Sequence, residues 1–195
     1  MAVLPRAFFA RDVLEVAPEL LGKHLRRDGV VLRITEVEAY KWPPDTACHA
    51  RAGRTERTAP LWGPPGRAYV YLCYGLHQML NVVTGADGQA QAVLVRACEP
   101  VKGLSTIQDR RGGKDGPVLL TGPGKIGQAL QLDTSWSHHR LYRAGGLSLH
   151  DAPPPNAILT GARIGIDFAE PEHRELPWRF AEAGTPWVTH RAKLG

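Results

Sequence analysis

Apolar and polar residues recur along this chain with two different periods, and the changes of period mark out its elements. Between residues 11 and 25, Val13, Leu14, Ala17, Leu20 and Leu21 fall at helical spacing. Asp12 is placed to cap that segment, and Pro18 suits only a kink or the first turn of a second helix, so one or two short helices are expected. From residue 30 the period drops to two. Residues 30–40, 68–74, 77–83 and 91–98 read as strands rich in Val, Leu and Tyr, separated by turns such as Gly85-Ala86-Asp87-Gly88. Their short connections favour antiparallel pairing in a curved sheet. Residues 99–111 return to helical spacing, with Leu104 and Ile107 inward and Gly112-Gly113 as the stop. Thr121-Gly122-Pro123-Gly124-Lys125 opens another helix, with Thr121 as its cap and Pro123 in its first turn. The three prolines of residues 151–156 mark a loop and residues 157–168 a last strand, while Trp178, Phe180 and Trp187 close the core. The fold class is mixed α/β (α+β), in one domain spanning 1–195.

One strand departs from its own pattern. Val30, Leu32 and Ile34 form an apolar face, and in strict period two that face continues as Glu36, Glu38 and Tyr40. Burial raises a carboxylate's pKa unless donors hold its charge, so Glu38 reads as a poised acid or base. If the strand leaves the core at Thr35 instead, both glutamates are solvated. The hairpin of residues 69–83 is unusual as well. Its tip, Tyr74-Gly75-Leu76-His77, puts a tyrosine and a leucine where Asn, Asp or Ser is common. Such a tip suits insertion into the base stack of a duplex, and it suits a partner protein or a core contact too.

Composition narrows the partners. The chain has 195 residues, of which 43% are apolar and 22% charged, enough for one domain with a full core. Pro5 and Arg6 interrupt the short apolar start, and no run approaches a membrane span or a secretory segment. A cytosolic protein is therefore expected, nucleoid-associated in a bacterium or nuclear in a eukaryote. A formal charge of +5 favours a polyanion. Arg51, Arg54, Arg57 and Arg67 lie between two strands with only Glu56 opposing them, which suits phosphate contacts or simply a solvated loop. Cys48, Cys73 and Cys98 are odd in number and lack C-x-x-C spacing, so they read as small buried residues in a reducing compartment. The adjacent pairs Cys48-His49 and His138-His139 lack chelate spacing, and no metal is expected.

Five segments taken in order carry a resemblance. Thr35-Glu36-Val37-Glu38-Ala39-Tyr40, the run from Gly66 to Gly75, Asn81, the run from Val93 to Pro100, and Thr121-Gly122-Pro123-Gly124-Lys125 resemble the motifs of the alkyladenine (3-methyladenine) DNA glycosylase family, known from mammals and bacteria. The match runs from about residue 10 to about residue 190. It implies a curved antiparallel sheet with surrounding helices, a protruding DNA-intercalating hairpin, and a pocket that receives a purine flipped from duplex DNA.

Residue by residue, the resemblance makes Glu38 the general base that activates water and Arg96 a residue that helps hold that water. In Ala162-Arg163-Ile164-Gly165 the main-chain carbonyl of Ile164 takes the place of the family's valine. Tyr40, His49 and Tyr71 match the walls that stack on the base, Asn81 the residue that crowds the guanine exocyclic amine, and Tyr74 the intercalating wedge. Leu76, His77, Arg51, Arg54 and Lys125 are expected at the DNA. Leu76, His77 and Lys41-Trp42 are where the chain departs from the family's surroundings. No lysine matches a Schiff-base nucleophile, so the expected enzyme is a monomeric, monofunctional glycosylase acting on damaged purines without a cofactor. Two rivals stand beside it: an inverting sugar hydrolase with Glu36 and Glu38 as its carboxylate pair, weakened because one strand presents both from the same side, and a noncatalytic binder of bent or damaged DNA.

Overall fold

Asp12 does cap the first amphipathic segment, its carboxylate accepting from the Leu14 N–H. In the computed structural model, which describes residues 2–195, two helices precede the strands: α1 (Arg6–Phe9) and α2 (Val13–Leu20), with Pro18 inside the second. Helical structure does not reach residue 25. The chain turns at Gly22 (φ 83°), where a Cβ would lie 2.3 Å from the Pro153 carbonyl oxygen. It then forms a strand, β1 (His24–Arg27), that the helical reading of 11–25 had obscured.

The remaining strands are β2 (Val30–Trp42), β3 (Ala68–Cys73), β4 (His77–Val83), β5 (Ala90–Lys102), β6 (Ser148–His150), β7 (Ile158–Gly161) and β8 (Arg179–Glu182). They pair antiparallel throughout, in the order β3-β4-β5-β2-β1-β6. Strand β8 joins β2 beyond the end of β1 and carries β7 on its outer side. This is the α+β class that the alternation predicts. No helix among the described residues is long and apolar enough to cross a membrane.

Four boundaries differ from the pattern. Strand β5 runs on to Lys102, so helix α3 (Leu104–Arg110) starts only after Gly103 turns the chain at φ 81°. Its Ile107 is buried as expected, but Leu104, in the first turn, is 45% exposed. Helix α4 (Pro123–Ala129) has Gly122 as its N-cap, because the Thr121 hydroxyl donates back to the Pro117 carbonyl at 2.8 Å. Of residues 157–168 only β7 is strand; the rest leaves the sheet, and α5 (Pro171–Arg174) follows.

The main core packs α2, α3 and α4 on one face of the sheet, with Trp178, Phe180 and Trp187 at its margin. A second cluster, including Cys48, Leu61, Tyr69 and Ala92, occupies the opposite face. Cys48 and Cys98 are buried, Cys73 is half-buried, and all three are free thiols.

Strict period two fails at one place in β2. Val30, Leu32 and Ile34 share the main core with Val37 and Ala39, not with Glu36 and Glu38. The register explains this: Ile34 pairs with Cys98 and Glu36 with Ala97, so Thr35 is an extra residue in β2. Between Glu36–Ala97 and Val37–Val95 the extra residue is Arg96, in β5. Two opposed β-bulges thus exchange the faces of both strands and then restore the register. The glutamates therefore lie on the sheet face opposite the Val30–Ile34 core. They are fully buried nonetheless, so they are not solvated.

Candidate active site

The bulge in β5 aims Arg96 at both glutamates. Its Nε donates to Glu36 Oε1 at 3.1 Å and its Nη1 to Glu38 Oε2 at 3.2 Å. Glu38 also accepts from the Tyr40 hydroxyl at 2.8 Å and from the Ile164 amide at 2.7 Å. Every partner donates, so the arrangement fits a carboxylate, which only accepts. The Ile164 amide is thus the backbone group engaged with Glu38, where the sequence had marked the Ile164 carbonyl.

Tyr40, Arg96 and Ile164 screen Glu38 from a cavity of about 640 Å³ that all three help to line. His49, Tyr71 and Asn81 line it too, together with Tyr74 at its rim. The His49 and Tyr71 rings meet edge to face at 4.5 Å, and Tyr71 lies 5.4 Å from Tyr69. Tyr69 is a wall residue that residue-by-residue reasoning passed over; the Tyr-x-Tyr alternation that places Tyr71 on the pocket face places Tyr69 there as well. Burial, followed by Arg57 and Arg51, pushes the pKa of His49 down to about 4, so this imidazole is uncharged at neutral pH. Burial and then Glu38 push the Tyr40 hydroxyl well above its ordinary value, leaving it a proton donor. Asn81 is fixed by its Nδ2, which donates to the Tyr69 and Met79 carbonyls at 3.2 and 3.4 Å.

Behind Tyr40 lies a buried pair that the sequence did not reveal. Arg163 binds Asp45 through two nitrogens, at 2.6 and 2.8 Å, with both side chains fully buried. The same guanidinium donates to the Ala39 and His173 carbonyls and lies 4.7 Å from the Tyr40 ring and 5.2 Å from the Trp178 ring. It anchors the loop that delivers the Ile164 amide and backs the ring that faces the cavity. Only the adjacency of Arg163 to Ile164 hinted at this, since Asp45 is far away in sequence.

Glu36 has a different environment. Its Oε1 accepts from Arg179 Nε at 2.8 Å and from the Thr189 hydroxyl at 2.6 Å, besides Arg96, and its Oε2 accepts the Thr189 amide at 2.6 Å. Neither glutamate lines the cavity itself, and Glu36 is held by four donors, which weighs against the inverting pair of glutamates as a reading of the site.

The hairpin tip projects from the cavity's rim. Tyr74 (φ 51°) and Gly75 (φ 70°) both adopt the left-handed conformation inside a turn closed by the Leu76 N–H on the Cys73 carbonyl at 3.0 Å, the mirror-type turn whose twist suits a hairpin. Tyr74 is 91% exposed and Leu76 78%. The hairpin's return strand is braced by α4: a Cβ on Gly124 would approach His77 to 2.8 Å, and one on Gly127 would strike the Gln78 carbonyl at 2.1 Å. The glycine-rich motif thus serves close packing, with Lys125 half-buried beside it and its pKa lowered by burial and by Arg111 and Lys114.

The basic loop does not stay together as one cluster. Arg57 lies 5.6 Å from the Tyr71 ring and Arg51 stacks at 4.4 Å on Phe168, an aromatic 58% exposed at the cavity's edge that the sequence reading left in a strand. Arg54 is exposed, whereas Arg67 is half-buried at the start of β3 and donates to the His138 carbonyl. Among the described residues no group of three or more His, Cys, Asp or Glu is placed to hold a metal ion.

Comparison with known proteins bears on this geometry. The family model of methylpurine-DNA glycosylase matches residues 7–186. A DNA-3-methyladenine glycosylase of Arabidopsis thaliana is 60% identical over 191 residues, covering 97% of this chain and 75% of that protein. Relatives from Nitrosococcus oceani and Carboxydothermus hydrogenoformans, also named for 3-methyladenine DNA glycosylase, are 62% and 44% identical, covering 98% and 97% of this chain and 96% and 100% of their own lengths.

Proposed function

This chain belongs to the methylpurine-DNA glycosylase family, and from that membership we propose a DNA-repair enzyme that flips damaged purines out of duplex DNA and hydrolyses the N-glycosidic bond. The proposed substrates are 3-methyladenine, 7-methylguanine and hypoxanthine, with ethenoadenine as a further candidate. The observation that carries the reading is Glu38: a buried carboxylate held by three donors, immediately behind the wall of an aromatic cavity.

In the proposed reaction Glu38 takes one proton from a water whose oxygen bonds to C1′ as the bond from C1′ to the purine nitrogen breaks. Arg96 helps hold that water, with the Ile164 backbone at the same place. The abasic sugar keeps the hydroxyl; an N3- or N7-alkylated purine departs neutral, whereas hypoxanthine or ethenoadenine departs as an anion that takes a proton from solvent, to which Glu38 returns the one it accepted. Alkylation at N3 or N7 gives the base a positive charge, which weakens its bond to the sugar and attracts it to the faces of Tyr40 and Tyr71. Flipping costs a few kcal/mol, least where damage has already weakened pairing. Tyr74 fills the gap left in the stack, and Asn81 crowds the amine that distinguishes guanine. The exposed basic groups Arg51 and Arg54, with Lys125, are assigned to the phosphate backbone, and Leu76 and His77 to the duplex beside the wedge.

A noncatalytic binder would share the wedge but has no use for Glu38. Duplexes carrying each lesion, incubated with the protein and then cleaved with alkali at abasic sites, separate the two. Strand breaks at the lesion are expected with wild type and not with Glu38→Gln. Breaks that persist undiminished in that variant would remove Glu38 from the chemistry, and their absence with wild type on all four lesions would leave only the binder.

A further inference from the structure

We propose that Glu36 is a positioning residue for the reaction, tied down by Thr189, and that its task is to keep Arg96 from closing onto Glu38. The proposal rests on the assignment of Glu38 as the base. A guanidinium facing one carboxylate settles into a two-pronged pair, which is the strongest contact it can make. Arg96 does not do this. Its Nε is given to Glu36 and only Nη1 reaches Glu38. Glu36 can hold its share because it is itself immobile: Arg179 from β8 and the hydroxyl and amide of Thr189 grip it from the side away from the cavity. Arg179 in turn donates to the Thr189 carbonyl, so the C-terminal segment is locked to the same point. Thr35, the bulged residue, adds a bond from its hydroxyl to the Trp187 carbonyl at 2.6 Å.

The consequence is electrostatic as well as steric. Glu36, Glu38, Arg96 and Arg179 form a buried row of two negative and two positive groups. The groups facing Glu38 are Arg96 from β5, Tyr40 on its own strand, Tyr71 from β3, and the loop carrying Arg163 and the Ile164 amide, with the Arg163 charge countered by Asp45. Neutralising Glu36 leaves this surrounding one charge more positive and frees Arg96 to take both oxygens of Glu38. A base gripped in that way is weaker and less accessible to water.

The test uses single-turnover excision on whichever duplex, containing 7-methylguanine or hypoxanthine, wild type cleaves faster. Glu36→Gln is expected to lower the plateau rate roughly 10-fold or more while affinity for an abasic duplex stays within about threefold, a loss on the scale of one charge-assisted hydrogen bond. The acidic limb of its pH–rate profile is expected to move to lower pH, because a negative neighbour has been removed from the site. A purely structural defect would leave that limb in place. Should Glu36→Gln fail to fold, Thr189→Val removes only the hydroxyl that holds Glu36, with a rate loss of roughly three- to 10-fold expected and Thr189→Ser restoring it. Rates and limbs equal to wild type in Glu36→Gln or Thr189→Val, with Glu38→Gln inactive, overturn the positioning role alone. So does parallel loss of rate and affinity with an unmoved limb. Full activity in Glu38→Gln overturns the assignment of the base, and the positioning role with it.

Discussion

Glu36 and Glu38 are two residues apart on one strand, equally buried, and share one arginine, yet their surroundings divide the molecule into a closed side and an open side. On the closed side, β8 and the C-terminal segment saturate Glu36 with donors. On the open side, Glu38 has one strand neighbour, one loop amide and one shared arginine between it and a cavity. Burial therefore says little about what a carboxylate does. What separates the two carboxylates here, and supports the chemical role proposed for Glu38, is how many lone pairs are committed and what lies beyond their partners.

The sharpest way to break this contrast is to remove each charge and measure rate and stability separately. Glu38→Gln should reduce single-turnover excision by roughly 10²- to 10⁴-fold, the usual contribution of a positioned base. Its stability cost should be about 1–3 kcal/mol, for an amide placed among three donors. Glu36→Ala should cost about 3–5 kcal/mol in denaturant unfolding, because Arg179 is left buried without its carboxylate. Equal losses of stability in the two variants would mean that the open and closed sides do not differ as described.

Tyr74, the proposed wedge, lies at the far end of the open side, where function should be separable from stability altogether. Tyr74→Ser should weaken binding to abasic and lesion duplexes by roughly five- to 150-fold, the worth of one stacked aromatic. With Tyr74 almost fully exposed, the unfolding free energy should barely change. Unchanged affinity for abasic DNA would take Tyr74 out of the interface.

Asn81 should give a smaller and more selective effect. Asn81→Ser or Asn81→Ala is expected to raise excision of normal guanine relative to hypoxanthine, by roughly 10-fold if crowding of the 2-amino group is relieved, even where total activity falls. The bonds from Asn81 to the Tyr69 and Met79 carbonyls also brace the wall, so both rates have reason to drop. If they drop in the same proportion, bracing is the whole of its role.

The open side was far more legible in the sequence than the closed side. Its elements are local: Glu38 and Tyr40 on one strand, Tyr71 on another with Tyr74 in the turn that follows it, Arg96 at a recognisable place in a third. The closed side joins Glu36 to Arg179 and Thr189 across most of the chain, and no periodicity reports such a contact. The bulges were invisible for a different reason. One extra residue in each of two strands changes no composition and interrupts no run, but it moves Glu36 and Glu38 to the other face of the sheet. Period two gave a polar wall from a wrong premise about which face it continued. The same limit hid β1, whose four residues follow helical spacing too closely to be separated from it, and the Arg163–Asp45 pair.

The mildest probe of the contrast is pH. His49 stands on the open side with its pKa lowered to about 4 by burial and then by Arg57 and Arg51. The folded protein therefore resists protonating it, while in the unfolded chain it titrates near the ordinary value of about 6.5. Between those two values the unfolded state binds more protons, so stability from this group is fully present above pH 6.5 and is lost as pH falls towards 4. His24, lowered mainly by burial, contributes in the same direction and will leave part of the slope in place. Replacing His49 with Phe keeps a ring against Tyr71 and removes the titration, at the cost of the bond to the Tyr69 hydroxyl. Denaturant unfolding at pH 7 and pH 4.5 should then show a smaller acid-induced loss in His49→Phe than in wild type, even if the variant is the less stable of the two at pH 7. Equal losses would mean that the imidazole takes up its proton in the folded pocket as readily as in water, and the aromatic wall would no longer count as dry and uncharged.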